Sequence, residues 1–135
     1  MVFYGHRTLD LSLESFDFTN DAAKEVYIGA TVTFVNLQLA AYMGYKDIYL
    51  LGVDHSFAYE TDNTGKVVKN DKVLQSHFFK DSGATKIIGN IEGMNNAYLT
   101  AKKYADSHGI KIYNATRGGA LEIFQRVNFD DIVKE

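Results

Sequence analysis

The clearest pattern of hydrophobic and polar positions lies in residues 31–43 and has the period of an α-helix. One stripe of this predicted helix carries Val32, Val35, Leu39 and Met43, and Phe34, Leu37 and Ala41 widen it. A helix as apolar as this one is mostly buried in a folded domain. Gly44 follows directly, and glycine most easily adopts the left-handed conformation that ends a helix. We therefore predict a buried helix that ends at Gly44.

A second helical pattern begins at Glu92 or Met94 and continues to Ser107. Its inner face carries Met94, Ala97, Tyr98, Ala101 and Ala105. Gly109 follows this segment and is predicted to end the helix in the same way.

A short apolar segment follows each helix, and we predict that both are β-strands. Residues 48–53, IYLLGV, form a continuous apolar run, which is typical of a strand covered on both faces in a parallel sheet. Residues 110–113 form the second predicted strand. Strands that alternate with helices build βαβ units, whose crossovers are right-handed. The patterns therefore predict an α/β fold.

Other segments give weaker signals. Residues 2–4 are predicted to be a short strand, and residues 9–13 alternate as an edge strand does. Residues 22–25 and 120–124 are predicted to be short helical turns, and residues 128–135 a charged tail.

Residues 54–76 contain Asn, Asp, Gly and Lys without a regular pattern. Structureless loops of about twenty residues are uncommon in compact domains and are usually functional lids or disordered segments. We therefore predict a candidate lid loop at residues 54–76. No internal repeat or linker divides the chain, so residues 1–135 are predicted to form one domain.

Composition narrows the class of protein. The chain has 135 residues, of which 46% are hydrophobic, enough for one core. The net charge is −3, and the lack of a basic stripe argues against a nucleic-acid surface. No apolar run reaches the roughly 18 residues of a membrane span, and no signal-peptide pattern is present. Without cysteines there is no thiolate zinc site. We expect a cytoplasmic protein, and the sequence leaves homo-oligomer formation open.

Asp54 and His55 follow the first buried strand directly. In open α/β sheets, ligands bind at the carboxyl ends of the strands. At such a position Asp54 is a candidate for accepting hydrogen bonds from a ribose or binding a metal, and His55 is a candidate acid, base or phosphate partner. The alternative is a loop aspartate that caps local amides beside a solvent-exposed histidine.

Thr31 and Thr33 lie where the first helix begins, after Gly29. Unpaired N–H groups and the helix dipole together favour anions at a helix N-terminus, so this segment is a candidate anion site. Ordinary capping by Thr31 would also explain its presence. The chain contains neither GxGxxG nor GxxxxGK[ST], which argues against a standard dinucleotide fingerprint or P-loop.

Asn114, Thr116 and Arg117 follow the second strand, and this loop faces Asp54 if the two strands are neighbours. A guanidinium there is able to clamp a phosphate or carboxylate. The alternative is a turn built on the glycines at 118–119, with the arginine in solvent.

His77, in the segment QSHFFK, follows the candidate lid loop. Histidine titrates near neutral pH and is therefore a natural general base, although a histidine packed beside an apolar anchor would give the same pattern. No set of His, Asp and Glu shows metal-ligand spacing, so no metal site is predicted.

Three segments resemble a known family: GATVTFVNLQLAAYMGYKDIYLLGVDHSF, SHFFKD and GIKIYNATRGGALEIFQRVNFDDI. They are similar to the MptE-like family of Rossmann-like domains, which is named for an archaeal 6-hydroxymethylpterin diphosphokinase and has many bacterial members in surface-polysaccharide loci. The same stretch, roughly residues 27–133, resembles the nucleotide-binding half of bacterial CMP-sialic-acid sialyltransferases.

The resemblance implies a Rossmann-like three-layer domain with a mostly parallel sheet that binds a nucleotide or nucleotide sugar at the strand ends. By matching position, Thr31 lies in the segment that touches the donor, and Asp54 falls on the aspartate of the G-[VI]-D motif. The family's histidine base follows the long loop, where His77 is the nearest candidate. The family's glycine-rich phosphate-binding turn is missing from the sequence, so we expect the domain to lack its first βα unit.

We therefore expect a nucleotide-sugar-dependent glycosyltransferase of the sialyltransferase type, acting in bacterial surface-polysaccharide synthesis and requiring no cofactor besides its donor. His77 or His55 would be the base. One alternative is a diphosphokinase that uses ATP and Mg²⁺, which is weakened because Asp54 is followed by His55 and not by a second acid. The other alternative is a non-catalytic nucleotide-binding fragment.

Overall fold

The computed structural model describes residues 2–4, 17–56, 59–61, 67–69, 88–89 and 91–134. Its strands are β1 (Val2–Tyr4), β2 (Glu25–Tyr27), β3 (Asp47–Leu50), β4 (Tyr59–Thr61), β5 (Val67–Lys69), β6 (Ile88–Gly89), β7 (Lys111–Asn114) and β8 (Gln125–Arg126). Its helices are α1 (Val32–Tyr42), α2 (Ile91–Ser107) and α3 (Phe129–Ile132).

A small open sheet of three parallel strands, in the order β3-β7-β8, positions the site described below. Asp47 pairs with Lys111 and Leu50 with Asn114, so β3 and β7 end at the same level. A second pair, β1 and β2, is also parallel, whereas β4 pairs antiparallel with β5 and parallel with β6. The α/β class is confirmed, and the sheet is compatible with a Rossmann-like core.

Helix α1 has the bounds that its sequence predicts, but a different buried face. Thr31 caps its N-terminus, and Gly44, at φ +89°, follows its end. The residues fully inside are Phe34, Leu37 and Gln38. Val32 and Met43 of the predicted stripe are 71% and 67% exposed, so that part of the prediction is wrong. Apolar residues lie on every side of this helix, so their spacing in the sequence did not determine which side faces the core.

Gln38 explains the orientation of α1. Its Oε1 accepts from the backbone N–H groups of Tyr27 (3.1 Å) and Thr19 (3.3 Å). Its Nε2 donates to the carbonyl oxygens of Tyr27 (2.7 Å) and Phe34 (3.2 Å). The amide is fully buried, and it occupies the backbone groups of Tyr27 as a neighbouring strand would. One polar side chain thus ties α1 to β2.

Both long helices pack on one face of the β3-β7-β8 sheet. The core cluster consists of Phe18, Phe34, Leu37, Leu50, Ala97, Tyr98, Ala101, Ala105, Ile110, Ile112, Leu121 and Phe124. The predicted inner face of α2 is therefore confirmed. The other face of β3 is not covered, because Tyr49 is 42% exposed, and Leu51 just beyond it is 56% exposed. The described part of the chain has two layers at this sheet, so the predictions of three layers and of a strand covered on both faces are not met there.

Several of the weaker predictions are corrected or only partly met. The candidate lid loop at 54–76 is not wholly irregular, since it contains β4 and β5. Residues 120–124 form no helical turn and lead into β8, which the sequence pattern did not indicate. Residues 22–24 make one turn before β2 begins. The predicted edge strand at 9–13 lies outside the described residues.

The two ends of the chain give one agreement and one correction. The predicted strand at residues 2–4 is confirmed as β1. The predicted charged tail contains the short helix α3, which Asn128 caps by accepting from the backbone N–H of Asp130. No helix in the described part of the chain has the length and apolar character needed to cross a membrane.

Candidate functional site

Residues 51–56 and 115–121 follow β3 and β7 at the carboxyl ends of neighbouring strands of one sheet, and residues 28–31 follow β2 of the separate β1-β2 pair; we call these three loops the rim. Open α/β sheets bind ligands at the carboxyl ends of their strands. Eight residues were predicted to form the site. Five of them lie in the rim, namely Thr31, Asp54, His55, Thr116 and Arg117, and two more, Thr33 and Asn114, lie within two residues of it. His77, the eighth, lies outside the described residues.

Thr116 joins the two central loops of the rim. Its Oγ1 accepts from the backbone N–H of Val53 at 3.1 Å and donates to the carbonyl oxygen of Leu50 at 3.4 Å. The backbone N–H of Ala115 donates to the same Leu50 carbonyl at 2.9 Å. The loop after β7 therefore lies against the loop after β3, as expected if the two strands are neighbours.

Asp54 is fixed by its backbone and presents its side chain to solvent. The Ala120 N–H donates to its carbonyl oxygen at 2.6 Å. A Cβ placed on Gly119 would lie 2.6 Å from that same oxygen, so only glycine allows the two loops to approach this closely. The Asp54 carboxylate is exposed and makes no hydrogen bond or ion pair with a described residue. This loop thus holds an available carboxylate in a defined place.

His55 points the other way, into the protein. It is 9% exposed and has φ +54°, an unusual conformation for a residue with a side chain. Its Nε2 lies 2.9 Å from Oδ1 of Asn95, and its ring makes an edge contact with Tyr98 at 5.5 Å between centroids. The contacts suit a positioning residue that anchors residues 51–56 to α2. The burial contradicts the alternative of a solvent-exposed histidine, whereas the catalytic role expected of His55 stays a prediction.

Asn114 is fully buried and holds the loop after β7. Its Nδ2 donates to the carbonyl oxygen of Leu121 at 2.8 Å, and its Oδ1 accepts from the backbone N–H of Thr116 at 3.0 Å. Both ends of the amide are used within the loop. Asn114 therefore shapes the rim from beneath, and its amide does not reach the surface where a ligand would bind.

Arg117 contacts α3, and among the described residues no contact joins it to Asp54. Its Nη2 lies 2.6 Å from Oδ1 of Asp130, and its guanidinium lies 5.8 Å from the centre of the Phe129 ring. Both partners belong to α3, which the sequence pattern did not indicate. The side chain is largely exposed, so the contact is a surface ion pair of small energetic weight.

Arg126, which the sequence analysis missed, binds the backbone of the loop that contains Arg117. Its guanidinium donates to the carbonyl oxygens of Thr116, Gly118 and Gly119 at 3.2, 2.7 and 3.0 Å. It also pairs with Glu122, and this contact lowers the pKa of the Glu122 carboxyl and raises the pKa of Arg126. A lone arginine after a Gly-Gly turn gives no signal in the sequence, because its carbonyl partners are backbone atoms.

The third loop of the rim leads into α1. Thr31 Oγ1 accepts from the backbone N–H of Thr33 at 3.3 Å, so capping is confirmed. No acidic residue occupies the first turn of α1, and its N-terminus keeps its preference for anions. Gly29 packs near Ala97 of α2, the same helix that holds His55 through Asn95. Helix α2 thus contacts the loops that carry Thr31 and Asp54.

A groove of about 240 Å³ shares no residue with the rim. It is lined by Lys102, Ala105, Asp106, Ile110, Lys111, Ile112, Tyr113, Phe124 and Gln125. Lys102 and Asp106 pair with each other there at 3.2 Å. The groove lies beside the first residues of β7 and the second half of α2, away from the carboxyl ends of the strands.

No protein-family model, curated protein or solved structure matches this chain. Within the described ranges, no three His, Cys, Asp or Glu side chains are grouped as a metal site would require. What the structure defines is therefore a class: an α/β domain whose parallel strands end in a rim with a fixed, exposed carboxylate.

Proposed function

We propose that the rim binds the nucleotide part of a nucleotide sugar, and that the chain is the donor-binding domain of a glycosyltransferase. The observation that carries the proposal is Asp54, whose exposed carboxylate lies at the carboxyl end of a parallel strand on a backbone held by Ala120 and Gly119. A carboxylate there suits the hydroxyl groups of a ribose, which it would bind as a hydrogen-bond acceptor.

Thr31 and Thr33 supply the second half of the proposed site. The N-terminus of α1 carries no acidic residue in its first turn, and it suits the phosphate of a nucleotide. A negatively charged phosphate and a neutral ribose would thus meet different parts of the rim. This division supports a nucleotide over a simple sugar, which has no anion.

The transfer step rests on the sequence resemblance to the sialyltransferases. In that reaction the acceptor oxygen bonds to the anomeric carbon while the bond from that carbon to the phosphate oxygen breaks. The nucleotide leaves with the electron pair, and a base takes the proton of the acceptor hydroxyl. Because His55 is engaged with Asn95, we assign the base to His77. A place in the synthesis of bacterial surface polysaccharides belongs to the same proposal.

Calorimetric titration with CMP, CDP and ATP, each with and without Mg²⁺, tests the proposal. We expect the cytidine nucleotides to bind without Mg²⁺, and Asp54→Asn to weaken that binding at least tenfold. Asp106→Asn is the matched control, because it removes the same charge from the groove and not from the rim. Equal loss in both variants would contradict a site at Asp54.

Two other outcomes would replace the proposal. Binding of ATP that requires Mg²⁺ would favour the diphosphokinase. No contact among the described residues supports that alternative. Binding of none of the three nucleotides would contradict a nucleotide site at the rim.

A further inference from the structure

The face of the β3-β7-β8 sheet opposite the helices carries a paired arrangement of side chains. Side chains alternate along a strand, so Asp47 and Tyr49 of β3 lie on this face together with Lys111 and Tyr113 of β7. The rings of Tyr49 and Tyr113 stack with their centres 4.9 Å apart and their planes at 18°. Tyr49 is well exposed, so a broad aromatic surface meets solvent.

The register places opposite charges next to each other on this face. Asp47 pairs with Lys111 across the two strands, and Tyr49 pairs with Tyr113. Asp47 and Lys111 are both exposed, and neither makes an ion pair with the other or elsewhere in the described ranges. The face thus has two rows of side chains that run across the strands. One row is charged, with Asp47 on β3 and Lys111 on β7, and the next consists of Tyr49 and Tyr113.

We propose that this face binds a second copy of the chain about a twofold axis that runs parallel to the strands between β3 and β7. Such an axis exchanges the two strands, because a twofold interface uses the same patch on both subunits. Asp47 then faces Lys111 of the partner subunit, and Tyr49 faces the partner's Tyr113. The dimer gains two ion pairs between chains and brings together four tyrosine rings, two from each chain.

Charge complementarity selects both the partner and the orientation. A twofold axis perpendicular to the strands would make the strands of the two copies antiparallel. Asp47 would then lie near Leu51 of the partner subunit, and the charges would be unmatched. A second copy with parallel strands matches every charge on the face. The patch is only a few residues wide, so it falls at the small end of interfaces and the dimer is weak, in the micromolar to millimolar range.

Sedimentation velocity over a concentration series tests for the dimer. We expect the full chain to shift from monomer to dimer below about 1 mM. Asp47→Lys alone and Lys111→Asp alone should each weaken dimerisation at least tenfold, because the facing charges then repel. A wild-type chain that stays monomeric up to about 1 mM, or single variants that dimerise like the wild type, would overturn the proposal.

Mixing the two variants tests whether the charges of this face meet across the interface. In the mixed dimer each lysine of one chain faces an aspartate of the other, so an equimolar mixture should regain the wild-type dimer. Lys103→Asp, on the exposed side of α2, gives the same net charge as Lys111→Asp and is the control. Lys103→Asp keeps the wild-type face and dimerises by itself, so its mixture with Asp47→Lys should contain no more dimer than Lys103→Asp forms alone. Failure of the first mixture to form more dimer than either variant alone, or a gain of dimer in the second, would overturn the proposed interface.

Discussion

Gly119 packs against the backbone of Asp54 so closely that no side chain fits between them. An added Cβ would lie 2.6 Å from the Asp54 carbonyl oxygen and 2.7 Å from its Cα, and Gly119 has φ +76°. We expect Gly119→Ala to push the two loops apart, because the nearby atoms belong to backbone and move only with the chain. Nucleotide binding at the rim should fall together with stability.

Gly118→Ala is the matched control for this contact. Gly118 has a similar φ of +73°, but an added Cβ would meet nothing within 4 Å. Backbone strain alone should cost about 1–2 kcal/mol there. Gly119→Ala should cost about 1–3 kcal/mol more, because it adds overpacking. Urea unfolding of both variants measures the difference, and equal losses would show that the contact with Asp54 has no energetic weight.

Asn114→Ala should destabilise the fold strongly, although the sequence made the residue a candidate for the ligand site. The change leaves the Leu121 carbonyl and the Thr116 N–H without the amide that satisfies them. Two buried polar groups without partners cost about 2–4 kcal/mol in the free energy of unfolding. Asn36→Ala, on the exposed side of α1, should change it by less than about 0.5 kcal/mol. A stable Asn114→Ala chain with impaired binding would instead favour direct ligand contact.

Gln38→Leu tests whether one amide holds α1 to β2. Leucine keeps much of the volume but cannot replace the hydrogen bonds to the backbone of Tyr27 and Thr19. We expect a loss of about 2–4 kcal/mol in urea unfolding. Hydrogen exchange should rise most at the amides of Tyr27 and Thr19. A variant as stable as the wild type, with unchanged exchange, would show that water replaces the amide without cost.

The ion pair between Glu122 and Arg126 predicts a pH dependence of stability. Arg126 lowers the pKa of Glu122 below its ordinary value of 4.5, so the folded state favours the ionised carboxylate. The stabilisation is therefore complete above that value and is lost as the pH falls through the lowered pKa. Glu122→Gln should lose less stability than the wild type between about pH 5 and pH 3. If the melting temperatures of the two chains fell equally over this pH range, the result would contradict the pairing.

The sequence predicted the long elements and the position of Asp54 beyond a strand end because both have local causes. Thr31 caps α1, and Gly44 and Gly109 follow the two long helices. Only the first half of the apolar run at 48–53 lies in β3, which ends at Leu50, and residues 51–53 belong to the loop. Because Asp54 follows the end of a predicted strand, its position at the rim could be predicted from the sequence alone. These signals depend on residues close in the chain, and a single sequence contains them.

The roles of the polar residues in the rim were harder to predict because they depend on distant partners. Whether Asn114 meets a ligand or the Leu121 carbonyl is decided by how the following loop folds back. His55 is buried by α2, some forty residues further along the chain. Arg126 binds backbone carbonyls, which every residue has, so its sequence neighbours give no indication. Side-chain type alone does not separate a ligand contact from an internal one.

The central claim is that a nucleotide binds at the rim, and amide chemical-shift mapping by NMR tests it most directly. Titration of the ¹⁵N-labelled chain with CMP should shift the amides of residues 28–33, 52–56 and 115–121, and Asp54→Asn should suppress those shifts. Shifts confined to the groove around Lys102 and Ile110, or no shift at saturating CMP, would contradict the account.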